Sequence, residues 1–180
     1  LFEGTSGWSV SPVQNIELKP EQARNKEIGL HYLNKTLFGG DQLRLSLAYF
    51  RNHTKDYLTR TQPNAWEDGA LYTFFRMRSI KSLDLHGMEL SGSYDTGRFY
   101  TEFGGTHYDH IEMCNVGSFV RDYCTNYGLA QSYLNNMIPP NWHANATLGA
   151  RLLDWRLTFG ARATVMGQRN QPPEYEDDTK

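Results

Sequence analysis

The sequence lacks any long apolar run. Its longest unbroken apolar stretch is 47–50, in a chain of 180 residues. A membrane-crossing helix needs about 18 or more, so that class is excluded. Charge of one sign is missing too: 18 Lys and Arg stand against 20 Asp and Glu, a formal charge of −2. That balance carries no electrostatic footprint for nucleic acid. Cysteine is scarce, at two residues, too few ligands at short spacing for a structural metal site. There is no Gly-rich phosphate loop, no nucleophile elbow, and no His–Asp pair with a placed nucleophile, so no enzyme class is indicated. An initiating Met is absent, and the chain ends in the polar run 174–180. Residues 1–180 read as part of one domain of something larger.

Aromatics are plentiful, with 11 Tyr, 9 Phe and 4 Trp. A chain that avoids burial does not carry so many. The dominant period is two, the signature of strands. Leu43, Leu45, Leu47 and Tyr49 alternate with Arg44, Ser46 and Ala48. Ile28, Leu30 and Tyr32 do so around Gly29 and His31, and Met88, Leu90, Gly92 and Tyr94 around Glu89, Ser91 and Ser93. Phe99, Thr101, Phe103 and Gly105 alternate with Tyr100, Glu102, Gly104 and Thr106. Even positions from Ala144 to Leu152 and odd positions from Leu157 to Val165 complete six strands. Residues 72–81 run out of phase with Met88 and Leu90, and a bulge near 79–84 would restore the face.

Short connections (38–41, 95–97, 153–155) alternate strictly with long ones (1–24, about 61–69, 109–141, and 169 onward). Tight turns therefore gather at one end and large loops at the other. Outer-membrane barrels have this asymmetry and strands that are apolar outside and polar inside. A soluble meander or sandwich also alternates. The membrane reading is favoured because the polar faces carry Arg44, Glu89, Glu102, Arg151 and Arg162, and because a loop beyond 30 residues is uncommon in a compact soluble domain. The fold class is all-β, an antiparallel up-and-down transmembrane barrel. Tyr49, Tyr57, Tyr94, Phe99, Trp142 and Trp155 are candidates for its aromatic belts. Six strands cannot close, since the smallest bacterial barrels have about eight, so the rest must come from elsewhere. Cys114 and Cys124 lie in a loop rich in Asn, Gly, Ser and Tyr. A disulfide there is favoured over two free thiols and implies an oxidising compartment.

Several segments, in order, carry a resemblance. Leu18-Lys-Pro-Glu-Gln-Ala-Arg-Asn-Lys-Glu-Ile-Gly29 resembles the strand-opening signature of TonB-dependent outer-membrane receptors. Leu45-Ser-Leu-Ala-Tyr-Phe-Arg-Asn52 with Lys55-Asp-Tyr-Leu58, and Leu85-His-Gly-Met-Glu-Leu90, resemble their next strands. Ile138-Pro-Pro140, Leu148-Gly-Ala-Arg-Leu-Leu-Asp154 and Leu157-Thr-Phe-Gly-Ala-Arg162 resemble a later hairpin of the haem and haemoglobin receptor branch. The resemblance implies a middle-to-late section of a roughly 22-stranded plugged barrel. It implies import of an iron compound across the bacterial outer membrane, driven by the inner-membrane TonB complex. The cargo it favours is haem, with a haemophore or haem protein as partner. A ferric siderophore is the alternative, and a passive porin comes after it. Residues 1–20 hold no histidine, where haem receptors of this type often carry an axial one.

With haem as cargo, imidazole, tyrosinate and thioether become candidate iron ligands. His107-Tyr-Asp-His110 and Met113 lie where a strand meets the largest loop. Parity puts Tyr108 and His110 on the polar face, so His110 is the first choice for haem iron and Tyr108 the second. His143 follows on the next strand. His31, His53 and His86 read as structural, with His31 and His86 near the tight turns. Arg44, Glu89, Glu102, Arg151 and Arg162 would face the lumen and bond the plug, or guide anionic groups of the cargo. Trp8, Trp66, Phe119, Tyr123, Tyr127 and Tyr133 are loop aromatics suited to a protein partner.

Overall fold

The computed structural model describes residues 18–61, 76–115, 123–128 and 138–171. Six long strands form one antiparallel sheet: β1 (Gln22–Leu37), β2 (Asp41–Lys55), β5 (Ser82–Asp95), β6 (Phe99–Asn115), β8 (Trp142–Leu152) and β9 (Leu157–Met166). They pair strictly in chain order, so the sheet is an up-and-down meander. Two short additions sit at the loop end. β3 (Leu58–Thr61) pairs with β4 (Arg76–Ser79), and β7 (Tyr123–Thr125) pairs with β6. The three tight connections fall at 38–40, 96–98 and 153–156, at the opposite end.

Register fixes the faces. Leu30 opposes Leu47, Leu47 opposes Leu90, Leu90 opposes Gly105, Gly105 opposes Ala144, and Ala144 opposes Val165. Cross-strand partners share a face, so the apolar phases of all six strands merge into one continuous surface. That surface is open: Leu30 is 72% exposed and Leu148 64%. An apolar area spanning six strands is far beyond what a water-facing protein leaves bare. The opposite face carries Arg44, Ser93, Glu102, Thr147 and Arg162 in one cross-strand row. The buried core is small and confined to the loop end, where Ile80, Ile111, Met113 and Ile138 cluster. No second layer covers the apolar face among the described residues.

Strand length agrees with this. A bilayer-crossing strand needs about 9–11 residues when tilted. β8 and β9 have 11 and 10, while β1, β2, β5 and β6 have 16, 15, 14 and 17. The excess projects beyond the apolar band at the loop end. The band stops at the row Tyr49, Met88, His107 and Trp142, and Trp142 there is 42% exposed, as a belt residue should be. Tyr57 is not a belt residue. It packs on the inner cluster with Leu83 and Leu85. β1 and β9 each leave one strand edge unpaired among the described residues, and such edges call for neighbouring strands.

Irregularities sit at both ends: beside the first tight turn the β1–β2 register shifts between Asn34 and Leu37, and the rest lie at the loop end. The chain breaks between β4 and β5 at Ile80 and Lys81, where Ile80 donates to the Tyr57 carbonyl at 2.8 Å; β4 pairs in a separate two-stranded sheet, and β5 pairs with β2 in unbroken register from Ser82, so a strand break stands where a bulge was expected at 79–84. A bulge lies on β6. His86 pairs with His110 and Gly87 with Tyr108, so Asp109 is the extra residue. At the turn end Arg151 forks onto Asp95 at 2.8 and 2.9 Å and lies 4.5 Å over the Tyr100 ring. Tyr100 crosses Gly149 so closely that a Cβ there would fall 2.2 Å from its ring.

Candidate functional site

The polar face changes character as it rises toward the loop end. Its lower rows are hydroxyls, glycines and ions; Glu89, Thr106 and His143 form the last row of that kind. One step higher, Phe50, Gly87 and Tyr108 form the next row. Above them Leu85 and Ile111, then Leu83 and Met113, are paired on the same face. The result is an apolar pad with one phenol and one imidazole at its lower margin.

Phe50 and Tyr108 meet edge to face, with centroids 5.8 Å apart and planes at 81°. Gly87 lies between them in the register. A Cβ on it would fall 2.2 Å from the His107 carbonyl oxygen and 3.0 Å from the Phe50 ring, so only glycine lets the bulged strand come this close. Burial first, and then Glu89, pushes the Tyr108 phenol above its usual pKa; it is a neutral hydroxyl at physiological pH. Beside it, β6 leaves β8 after Trp142, and the Tyr108 amide donates to the Asn141 carbonyl at 2.8 Å. The parting strands open a notch of about 750 Å³ lined by Tyr108, Asp109, His110, Thr125, Asn141 and Asn170.

The expected site residues separate. Tyr108 and His143 lie on the polar face of neighbouring strands. Met113 is on that face too, but it is 1% exposed and fills the inner cluster, so its thioether is a packing group. His110 is turned the other way. Simple alternation placed it inward beside Tyr108; the extra residue Asp109 inverts the parity. His110 instead stacks on His86 on the outward side, with ring centroids 4.8 Å apart. His86 in turn lies at the loop end of β5, not near a tight turn, as its pairing with Arg51 shows. Burial, then Arg51 and His110, holds its imidazole below the usual pKa, and its Nε2 is buried without a hydrogen-bond partner. His53 bonds Asp84 through Nδ1 at 2.6 Å. His31 lies mid-strand opposite Ser46. The phase of β5, counted back from Leu90, could have exposed the outward His86; nothing in the local sequence announces the Asp109 bulge.

Arg44, Glu89, Glu102, Arg151 and Arg162 all fall on the polar face by register. Arg151 is already committed to Asp95. Cys114 and Cys124 are joined in a disulfide that ties β7 to β6. Trp8, Trp66, Phe119 and Tyr133 lie outside the described residues.

Open apolar outside, polar inside, tight turns at one end and long strands overrunning the band at the other define a section of a transmembrane β-barrel wall. The chain belongs to the family described as TonB dependent receptor-like, beta-barrel, whose model matches residues 2–179. It is 28% identical to a hemophilin receptor of Acinetobacter baumannii, over 99% of this chain and 18% of that protein. It is 38% identical to the heme/hemopexin utilization protein C of Haemophilus influenzae (strain 86-028NP), over 52% of this chain and 14% of that protein. Among solved structures it resembles the Serratia marcescens hemophore receptor HasR, a double mutant in complex with its hemophore HasA and heme. There the TM-score is 0.58 at 22% identity, covering 82% of this chain and 24% of that one. The chain thus spans less than a fifth of the curated relatives cited here, and it is one section of a larger barrel.

Proposed function

We propose that this chain is wall and loop-end rim of a bacterial outer-membrane receptor that imports haem, delivered by a haem-carrying protein. The observation that carries the reading is the loop-end notch bordered by Tyr108, with His143 on the polar face of the neighbouring strand and the buried Phe50 and Ile111 behind. A haem is a flat apolar disc with an iron that accepts imidazole or phenolate and propionates that accept hydrogen bonds. A neutral Tyr108 suits hydrogen bonding to a propionate better than direct ligation. His143, on the inner face next to the notch, is the imidazole proposed to reach iron. The names of the relatives support the cargo: one is a receptor for hemophilin, another a heme and hemopexin utilization protein.

The polar-face ions Arg44, Glu89, Glu102 and Arg162 then bond a plug that fills the lumen, a role in keeping with a plugged barrel's wet interior. Import is driven by an inner-membrane TonB complex acting on that plug, so this section supplies containment and recognition. Residues 1–180 form part of the single barrel domain.

Visible-absorption titration of the intact receptor with haem is the test. His143→Ala should shift the haem band and weaken binding at least tenfold, and Tyr108→Phe should weaken binding several-fold without moving the band. A receptor that ignores haem but takes up a ferric siderophore by calorimetry would refute the cargo. Uptake that survives loss of the energy-coupling complex would indicate a passive pore.

A further inference from the structure

We infer that His86 and His110 form a binding site for a divalent transition-metal ion on the outward face, at the loop end of β5 and β6. The site goes beyond the haem reading and does not depend on which cargo the receptor carries.

The pair is a product of the bulge. Had β6 kept its alternation, His86 would oppose Asp109 and His110 would face the lumen. With Asp109 as the extra residue, His86 and His110 become direct cross-strand partners on one face. Bulges commonly re-aim a side chain in this way beside functional sites. The two ring centroids are 4.8 Å apart. Two imidazoles sharing one ion, each nitrogen about 2.0–2.1 Å from it, have centroids about 4.5 Å apart at a right angle and about 5.2 Å at a tetrahedral one. The observed spacing lies between these. His86 is half-buried and His110 exposed, so one ring is held by its surroundings and the other leaves an approach from outside. The Nε2 of His86 is buried without a hydrogen-bond partner. An unpaired buried polar atom costs about 1–3 kcal/mol, and a bound ion removes that cost.

The surrounding charges are mixed. In the same row Lys26 and Arg51 oppose an added cation. The row above runs Arg24, His53, Asp84 and Glu112. Asp84 holds His53 at 2.6 Å, and Asp109 accepts from the Tyr49 hydroxyl at 3.3 Å. Asp84 and Asp109 both act on His86 against Arg51. A ligating imidazole must be unprotonated, and burial, then Arg51 and His110, keeps His86 so at physiological pH. No third side chain closes on the two rings among the described residues. The one trio of potential ligands there is Glu112 with the disulfide-bonded Cys114 and Cys124. Water then completes the coordination. Two imidazoles and water suit copper, nickel or zinc, and not a hard ion such as magnesium. Such an ion clips β6 to β5 beside the bulge, two residues from Tyr108 at the notch.

The test uses the full-length receptor in detergent, without a polyhistidine tag, and zinc sulfate as the calorimetric probe. Wild type should bind one more Zn²⁺ than His86→Gln or His110→Gln. The double variant should lose no more than either single one, because the two rings share one ion. Arg51→Gln should tighten the site by about threefold or more, and His31→Gln, on the polar face, should leave the count unchanged. A second measurement needs no variant: Zn²⁺, but not Mg²⁺, should shield His110 of the wild type from diethyl pyrocarbonate, read by peptide mass. A zinc count indifferent to both substitutions, losses that add in the double variant, or an unshielded His110 overturns the inference. Heat-modifiable gel migration checks that each variant is folded, and where one is not, the shielding of the wild type decides.

Discussion

Replacing Leu148 with Arg sets lipid against water. Leu148 is near the middle of β8, on the apolar face between Thr101 and Ala161, and 64% exposed. If that face meets hydrocarbon, an Arg at mid-depth costs about 2–4 kcal/mol, a factor of roughly 30 to 1,000 in the folding equilibrium. If the face meets water, the same change at an exposed site costs within about 0.5 kcal/mol. The two cases do not overlap. Thr147→Arg is the internal control. Its neighbours in register are Glu102 and Arg162 on the polar face, one partner of each sign, so the net effect should stay below about 1 kcal/mol. The assay is urea unfolding of the full-length receptor in lipid vesicles, read by heat-modifiable gel migration. A large loss for Leu148→Arg with a small one for Thr147→Arg is the expected result. Equal losses, or a harmless Leu148→Arg, would refute the assignment of faces.

Three other outcomes are expected. Gly87→Ala should destabilise by about 1–3 kcal/mol through overpacking, because the new Cβ meets a backbone carbonyl; melting of the intact receptor measures it. The Asp95–Arg151 fork holds the Asp95 carboxyl below its usual pKa, chiefly through the Arg151 hydrogen bond. A depressed folded pKa gives stability that is complete above the unfolded carboxylate pKa and lost as pH falls through the folded one. The stability gap between wild type and Asp95→Asn should therefore be flat from neutral pH to about 5 and close in acid. Reducing Cys114–Cys124, ten residues apart, should remove about 3 kcal/mol of loop-closure restraint and speed proteolysis between them, with the barrel still folded.

Much of the fold was legible because lipid enforces a strict two-residue period. All six apolar phases read from sequence hold in the register, and the three tight turns fall where Gly and Asp marked them. The site was less legible, and for one physical reason. Alternation carries a side chain's direction only while the ladder is regular. At Asp109 one extra residue enters β6, so His110 leaves the interior that simple counting gave it, while Tyr108, one residue before the bulge, keeps its place. The same bulge turns Met113, which simple counting sends outward, onto the inner face, where Ile80 and Ile138 from distant segments bury it.

The most direct test of the whole scheme is a fluorophore scan along β8. Single cysteines carrying an environment-sensitive dye, at each position from 143 to 150, would be read in vesicles containing a lipid-soluble quencher. Strong quenching at Ala144, Ala146, Leu148 and Ala150, with little at His143, Asn145, Thr147 and Gly149, is the expected result. Uniform quenching, or the opposite phase, would contradict it.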